Sequence, residues 1–198
     1  MFRSTLKVLG LLSTLFASNA LLAADASPDM LAGGCMACHG PNGASAGPAI
    51  PTISGLTKDY LKFTLADFKS GSRQSTIMGR MAKGYTESEI EVLSAYFSAQ
   101  PFVMVENAFS PEKAAKGKEL HALYCEQCHT GNGRDITLKG PVLAGQVKAY
   151  LVMTLDDFQN KRRFTVPKMK DKLKAVNRDH GPEGLTQIVE FYASQRRK

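Results

Sequence analysis

The chain has 198 residues, with 25 Lys and Arg against 18 Asp and Glu, a formal charge of +7 and four cysteines. Past Leu22 no stretch is apolar for long enough to cross a bilayer, which excludes a polytopic membrane protein. The basic balance admits a nucleic-acid partner, an option removed by the export signal and motifs that follow.

Met1 to Lys7 is short and basic, Val8 to Leu22 is mostly apolar, and Ala23-Ala24-Asp25-Ala26 supplies small residues for cleavage. The expectation is a secretory signal over residues 1–24, cut after Ala24 or Ala26, and a periplasmic product with no permanent membrane anchor. The apolar run is shorter than the roughly 20 residues that span a bilayer, and Ser13, Thr14, Ser18 and Asn19 interrupt it. Losing Arg3 and Lys7 with the signal takes the formal charge from +7 to +5. An exported protein meets no nucleic acid, so an acidic protein partner is the better use of that charge.

Next in the chain stands Cys35-Met36-Ala37-Cys38-His39, and Cys125-Glu126-Gln127-Cys128-His129 repeats it, using all four cysteines. Two thiols one helical turn apart can add to the two vinyl groups along one porphyrin edge while the next imidazole reaches the iron. Each motif therefore predicts one haem, giving two covalently bound haem c: Cys35, Cys38, Cys125 and Cys128 attach them, and His39 and His129 ligate iron. A thioredoxin-like pair or half a zinc site would not require His directly after the second Cys in both copies.

Helical signals dominate the remainder. Tyr60 to Lys69 is amphipathic, and Thr86-Glu87-Ser88-Glu89 is a capping box that opens a helix with Ile90, Leu93, Tyr96 and Phe97 on its apolar side. A boundary falls between Gln100 and Pro111, where Ser110-Pro111-Glu112 caps the next helix. Phe102, Val103 and Val105 are too apolar for a free tether, so the linker should pack between domains and hold the haems at a set distance. Lys113 to Tyr124 leads into the second motif, Tyr150 to Lys161 is amphipathic, and Leu185, Ile188, Val189 and Tyr192 recur at helical spacing. With no alternating strand pattern, the fold class expected is all-α.

Sliding the chain on itself by 90 residues superposes the two motifs, then Asn42 on Asn132, Pro51 on Pro141, Gly55 on Gly145, Tyr60-Leu61 on Tyr150-Leu151, Asp67-Phe68 on Asp157-Phe158 and Arg73 on Arg163. This is tandem duplication, with a first domain over 25–105 and a second over 106–198. Domains of this size have thin cores, and a covalently bound macrocycle supplies an apolar centre.

The sixth iron ligand separates an electron carrier from an enzyme. Met78 and Met81 lie in Thr76 to Ala82, and Met169 occupies the equivalent place in the second repeat, one residue beyond the offset. Methionine sulfur raises the potential, which suits a carrier. Met78 and Met169 are the expected ligands, on short polar loops, with Met81 in reserve; Met30, Met36, Met104 and Met153 are expected to be packing residues. His121 lies one turn before Cys125 and should point away from the far face of that haem, and His180 sits in a solvated loop; both are expected at the surface.

The two haem motifs, the methionine segments, and the Pro-to-Gly runs before each Tyr-Leu pair resemble the tandem diheme class I cytochromes c. Ser75 to Tyr85, Tyr124 to His129, the Asp157-Phe158 to Arg163 run and Phe191 to Gln195 are particularly similar to haem subunits of flavocytochrome c sulfide dehydrogenases. The resemblance implies two class I cytochrome c domains, with His39 and His129 as proximal ligands and Met78 and Met169 as distal ligands. It also implies that the carbonyls of Pro51 and Pro141 orient the imidazoles. It implies further that this subunit accepts electrons from an FAD-containing, sulfide-oxidising flavoprotein in a heterodimer and passes them to a small soluble cytochrome or similar acceptor. No substrate catalysis is then expected in this chain alone. The second domain departs from the pattern, reading Met169-Lys170-Asp171-Lys172 where the first has Met78-Gly79-Arg80-Met81.

Two rivals stay open: a free diheme carrier between a membrane complex and a terminal oxidase, and a haem enzyme such as a peroxidase, which would need an open distal site. Lys161-Arg162-Arg163 with Lys168, Lys170, Lys172 and Lys174 concentrates positive charge near the second methionine, where an acidic partner could dock.

Overall fold

The computed structural model describes residues 26–136, 140–163 and 166–196, so the predicted signal lies outside the described residues. Eight α-helices and a short 3-10 turn make up the described elements: α1 (Pro28–His39), the turn (Pro41–Gly43), α2 (Lys58–Ser70), α3 (Met78–Lys83), α4 (Glu87–Ser98), α5 (Pro111–Tyr124), α6 (Thr130–Gly133), α7 (Lys148–Gln159) and α8 (Pro167–Ser194). The all-α expectation holds, with no strand among these elements.

Local chemistry explains the helix starts. Ser27, Thr57, Thr86 and Ser110 each accept a backbone N–H of the first turn that would otherwise lack a partner. At α4 the capping box is complete: Thr86 Oγ1 accepts Glu89 N at 3.2 Å, and the Glu89 carboxylate accepts Thr86 N at 2.7 Å. α8 breaks at Gly181 (φ 64°), directly before Pro182, which has no N–H to continue the ladder.

Two apolar cores result. Ala32, Leu56, Leu61, Leu93 and Phe97 form the first between α1, α2 and α4. Leu120, Leu151, Val176, Leu185, Ile188, Val189, Phe191 and Tyr192 form the second between α5, α7 and α8. α5 crosses α8 at Gly117, where a Cβ would lie 1.8 Å from the Gln187 carbonyl oxygen; only glycine permits that approach.

The segment between α4 and α5 packs as its apolar residues predict. It passes Gly55 and Gly145, both at φ +66°, where a Cβ would lie 2.4 Å from Phe102 N and 2.5 Å from Met104 Cβ respectively. Asn107 fastens it to the second half by donating to Gln146 O at 3.0 Å and accepting Lys148 N at 2.9 Å. The halves also touch directly. Thr52 N donates to Gln146 Oε1, and Gln146 Nε2 donates back to Thr52 O, both at 2.9 Å and both buried. Val142, from the second half, is buried in the first core.

Reciprocity is plainest in one pair of contacts. Arg73 donates to the Tyr150 hydroxyl at 3.3 Å, and Arg163 donates to the Tyr60 hydroxyl at 3.1 Å, the same bond with the repeats exchanged. Each guanidinium also lies over a ring of its own half, Arg73 at 4.4 Å from the Phe68 centroid and Arg163 at 4.7 Å from Phe158.

Candidate functional site

The first motif forms the end of α1, which stops at Gly40 (φ 78°), leaving Cys35, Cys38 and His39 on its last turns. His39 is 7% exposed and donates from Nδ1 to the Pro51 carbonyl at 2.8 Å. A carbonyl only accepts, so the bond fixes the proton on Nδ1 and leaves the Nε2 lone pair for a metal. Burial outweighs that bond and lowers the His39 pKa, which keeps the ring neutral at pH 7. Burial raises the Cys35 thiol, with Tyr85 opposing it.

The second motif lies beyond its helix rather than within it. α5 ends at Tyr124, Cys125 caps it, and Cys128 N and His129 N both return to Cys125 O, at 3.1 and 2.9 Å. His129 repeats the first arrangement, donating from Nδ1 to Pro141 O at 3.3 Å, and burial again lowers its pKa. Gly140 lies against the ring, since a Cβ there would stand 2.5 Å from His129 Cε1. Burial pushes the Cys125 thiol up to about 11.

The methionines sit on helices, where loops were expected. Met78 opens α3 and Met169 lies in the first turn of α8, both half-buried, while Met81 is 42% exposed. A polar composition suggested loops here, but Pro167 at the first helical position starts α8 early. Met36 and Met104 pack as predicted, against the first core and against Gly145. Met30 and Met153 do not, being 72% and 48% exposed.

Of the two histidines outside the motifs, His121 departs from its expected exposure and His180 only from its expected loop. His121 is buried, at 1% exposure, on the face of α5 that also carries Ala114 and Gly117. Their spacing of three and seven residues was the available signal. His180 is exposed as expected but lies within α8 just before the break, bonded to Tyr124 Oη at 3.2 Å. The basic run also divides. Arg162 pairs with Asp156 and Asp157, and Arg163 turns inward to Tyr60, so the solvent-facing charge of that segment rests with the lysines.

These residues fit haem. Two neutral imidazoles present Nε2, and burial holds the Cys35 and Cys125 thiols above their ordinary values. Ile77 and Met81 in the first half, and Val166 beside Met169 in the second, stand 50%, 42% and 58% exposed, apolar surface suited to a macrocycle. Arg73 is buried and Arg163 half-buried, and neither faces a carboxylate among the described residues. The two phenols share these guanidiniums: burial and its neighbour Tyr150 raise Tyr60, while for Tyr150 burial is outweighed by Arg73 and Arg163, which pull it down. Haem carboxylates would balance such a site.

An all-helical chain with duplicated Cys-x-x-Cys-His motifs defines a class, the covalent haem proteins that move electrons. Residues 24–100 match the family model for cytochrome c. The chain is 48% identical over 69 residues to the cytochrome subunit of sulfide dehydrogenase from Chlorobaculum tepidum, across 35% of this chain and 62% of that relative, so it spans less than two thirds of it. It is 34% identical over 145 residues to cytochrome c4 of Thiocapsa roseopersicina, across 68% of this chain and 74% of that one. Its fold matches crystalline reduced cytochrome c4 from Pseudomonas stutzeri with a TM-score of 0.71 at 25% identity, covering 83% of this chain and 95% of that one. The chain belongs to the diheme cytochrome c4 group of the cytochrome c family, an electron-transfer protein with two covalently bound haem c.

Proposed function

We propose that this diheme cytochrome is the electron-accepting subunit of a sulfide-oxidising flavoprotein complex in the periplasm, handing electrons singly to a small soluble acceptor. The observation that carries this reading is the 48% identity to a cytochrome subunit of sulfide dehydrogenase. When bound, haem c supplies a one-electron iron couple. The chain's residues attach, orient and insulate it.

In this assignment Cys35 and Cys38 hold the first haem and Cys125 and Cys128 the second, within domains 25–105 and 106–198. His39 and His129 ligate through Nε2, oriented by Pro51 and Pro141, while Met78 and Met169 close the distal sides. Arg73 and Arg163 are the cations available to haem carboxylates between the halves. Export rests on residues 1–24 being removed as a signal; among the described residues no helix is long and apolar enough to cross a membrane.

A second reading, a free diheme carrier with no permanent flavoprotein, draws on the longer likeness to cytochrome c4, 145 residues against 69. Purification from the native host separates the two. A flavin absorption band beside the haem bands, with haem reduction on adding sulfide, is the expected result. Haem bands alone that sulfide leaves oxidised would overturn the subunit reading in favour of the free carrier.

A further inference from the structure

The halves differ most sharply behind the second haem motif. His121 bonds on both sides: Nε2 donates to Glu126, inside that motif, and Nδ1 is bonded to the Tyr192 hydroxyl at 2.8 Å. Glu126 also accepts Gly131 N at 2.9 Å and Asn132 N at 3.1 Å, the loop directly after His129. Gly131 and Asn132 take the left-handed conformation there, φ 62° and 61°. Burial raises the Glu126 carboxyl, but the bonds from His121, Asn132 and Gly131 outweigh it and hold it below the ordinary carboxylate range.

The first half has none of this. The 90-residue offset places Leu31 opposite His121 and Met36 opposite Glu126. Phe97 is the spatial counterpart of Tyr192: their carbonyls accept Gly55 N at 2.8 Å and Gly145 N at 2.9 Å, and their rings face Gly43 and Gly133. An apolar trio in one half is thus a hydrogen-bonded, charged trio in the other.

We propose that His121, Glu126 and Tyr192 form a positioning and tuning cluster that sets the second haem apart from the first. Glu126 holds the loop that follows His129 and places one negative charge beside the second attachment motif. That charge favours the ferric state and lowers the second haem's potential relative to a site built like the first. His121 keeps the carboxylate in place, and Tyr192 keeps His121 in place. The proposal rests on the assignment of Cys125, Cys128 and His129 to the second haem.

Glu126 and His129 are three positions apart, so their Cα atoms lie within roughly 10 Å of each other. At that range and an effective dielectric of about 20, one charge is worth about a tenfold shift in the ferric-to-ferrous ratio, or ~59 mV for a one-electron couple. The experiment is a potentiometric titration of the diheme protein and its Glu126→Gln, His121→Gln and Tyr192→Phe variants, each with its haem content counted chemically. Two haems per chain in the wild type secures the attachment assignment independently of any potential; fewer would fail that assignment rather than the tuning. Expected for Glu126→Gln is a rise of about that size in one midpoint with the other unmoved, with smaller shifts of the same midpoint in the other two. Unchanged midpoints, or equal shifts of both, in variants that keep two haems would overturn the proposal. So would loss of the second haem in all three, which would make the cluster structural only.

Discussion

Replacing Gln146 with Leu tests how the halves are locked together. Gln146 is 2% exposed and Thr52 is 0% exposed. The Gln146 amide satisfies three buried backbone groups, Thr52 N, Thr52 O and Val147 N, each at 2.9 Å. Leucine, the residue at the matching position 56 of the first repeat, fills a similar volume and satisfies none of them. A stranded buried polar group costs about 1–3 kcal/mol. Three such groups, less about 2 kcal/mol from the added apolar burial, give a net loss of roughly 1–7 kcal/mol. Since two of the three groups belong to the other half, that loss should fall on the coupling between halves. Urea unfolding of the diheme protein, followed by far-UV circular dichroism, reads both quantities. The variant should unfold at lower urea and in two resolved steps where the wild type shows one. A cost below about 1 kcal/mol with a single unchanged transition would refute the claim that this amide locks the interface.

Met78→Ala and Met169→Ala should each open one haem per chain to carbon monoxide in the ferrous state, and Met81→Ala should open none; a spectral titration with the gas decides it, and an opened haem in Met81→Ala would exchange the two assignments. Gly55→Ala should cost about 1–2 kcal/mol for the left-handed conformation and about 1–3 more for the collision with Phe102. Gly71→Ala, at φ +84° with open space around it, should cost only the first amount; equal losses in thermal melts would contradict the close approach of the linker. Glu190 is 7% exposed and bonded to Lys148 Nζ at 2.7 Å and Ser110 N at 3.0 Å. Burial raises its pKa, but these bonds outweigh it and leave it lowered. A depressed folded pKa means stability that is present above the ordinary carboxylate value of about 4.3 and lost as pH falls through the folded value. Glu190→Gln should therefore destabilise at neutral pH by about 1–3 kcal/mol, and the difference from wild type should shrink in acid below the usual carboxylate range. A difference independent of pH would remove the charge from the explanation.

Local and periodic features were legible before any coordinates. The duplicated motif, the capping box at Thr86, the helix start at Ser110-Pro111 and the apolar linker all act through near neighbours or through a repeat that the chain itself displays. Arg163 and His121 were not legible, because their partners lie far along the chain. Arg163 stands in a run of three cations that reads as surface, but Tyr60, 103 residues away, and the ring of Phe158 draw it inward. His121 reads as a polar residue on an exposed turn until Tyr192, 71 residues on, meets it in the core and the half-exposed Glu126 bonds its other nitrogen. The helix at Met169 reads as a loop for a milder reason, since a polar segment with one Pro looks like a loop unless the proline begins a helix, while the six-residue α3 at Met78 has neither a proline nor a side-chain cap to mark its start.

Arg73 on Tyr150 and Arg163 on Tyr60 form an isologous contact within one chain, since residue i meets j of the other repeat and j meets i. Such a contact by itself makes the two halves equivalent, and a diheme carrier with equivalent sites has no built-in direction. The departures from the twofold pattern supply the difference. Gln146 faces Thr52 while its repeat counterpart is Leu56, Val142 enters the first core, and His121, Glu126 and Tyr192 replace Leu31, Met36 and Phe97. The reciprocal bonds tie the two halves together at matching positions, and the unreciprocated ones make the halves chemically unequal.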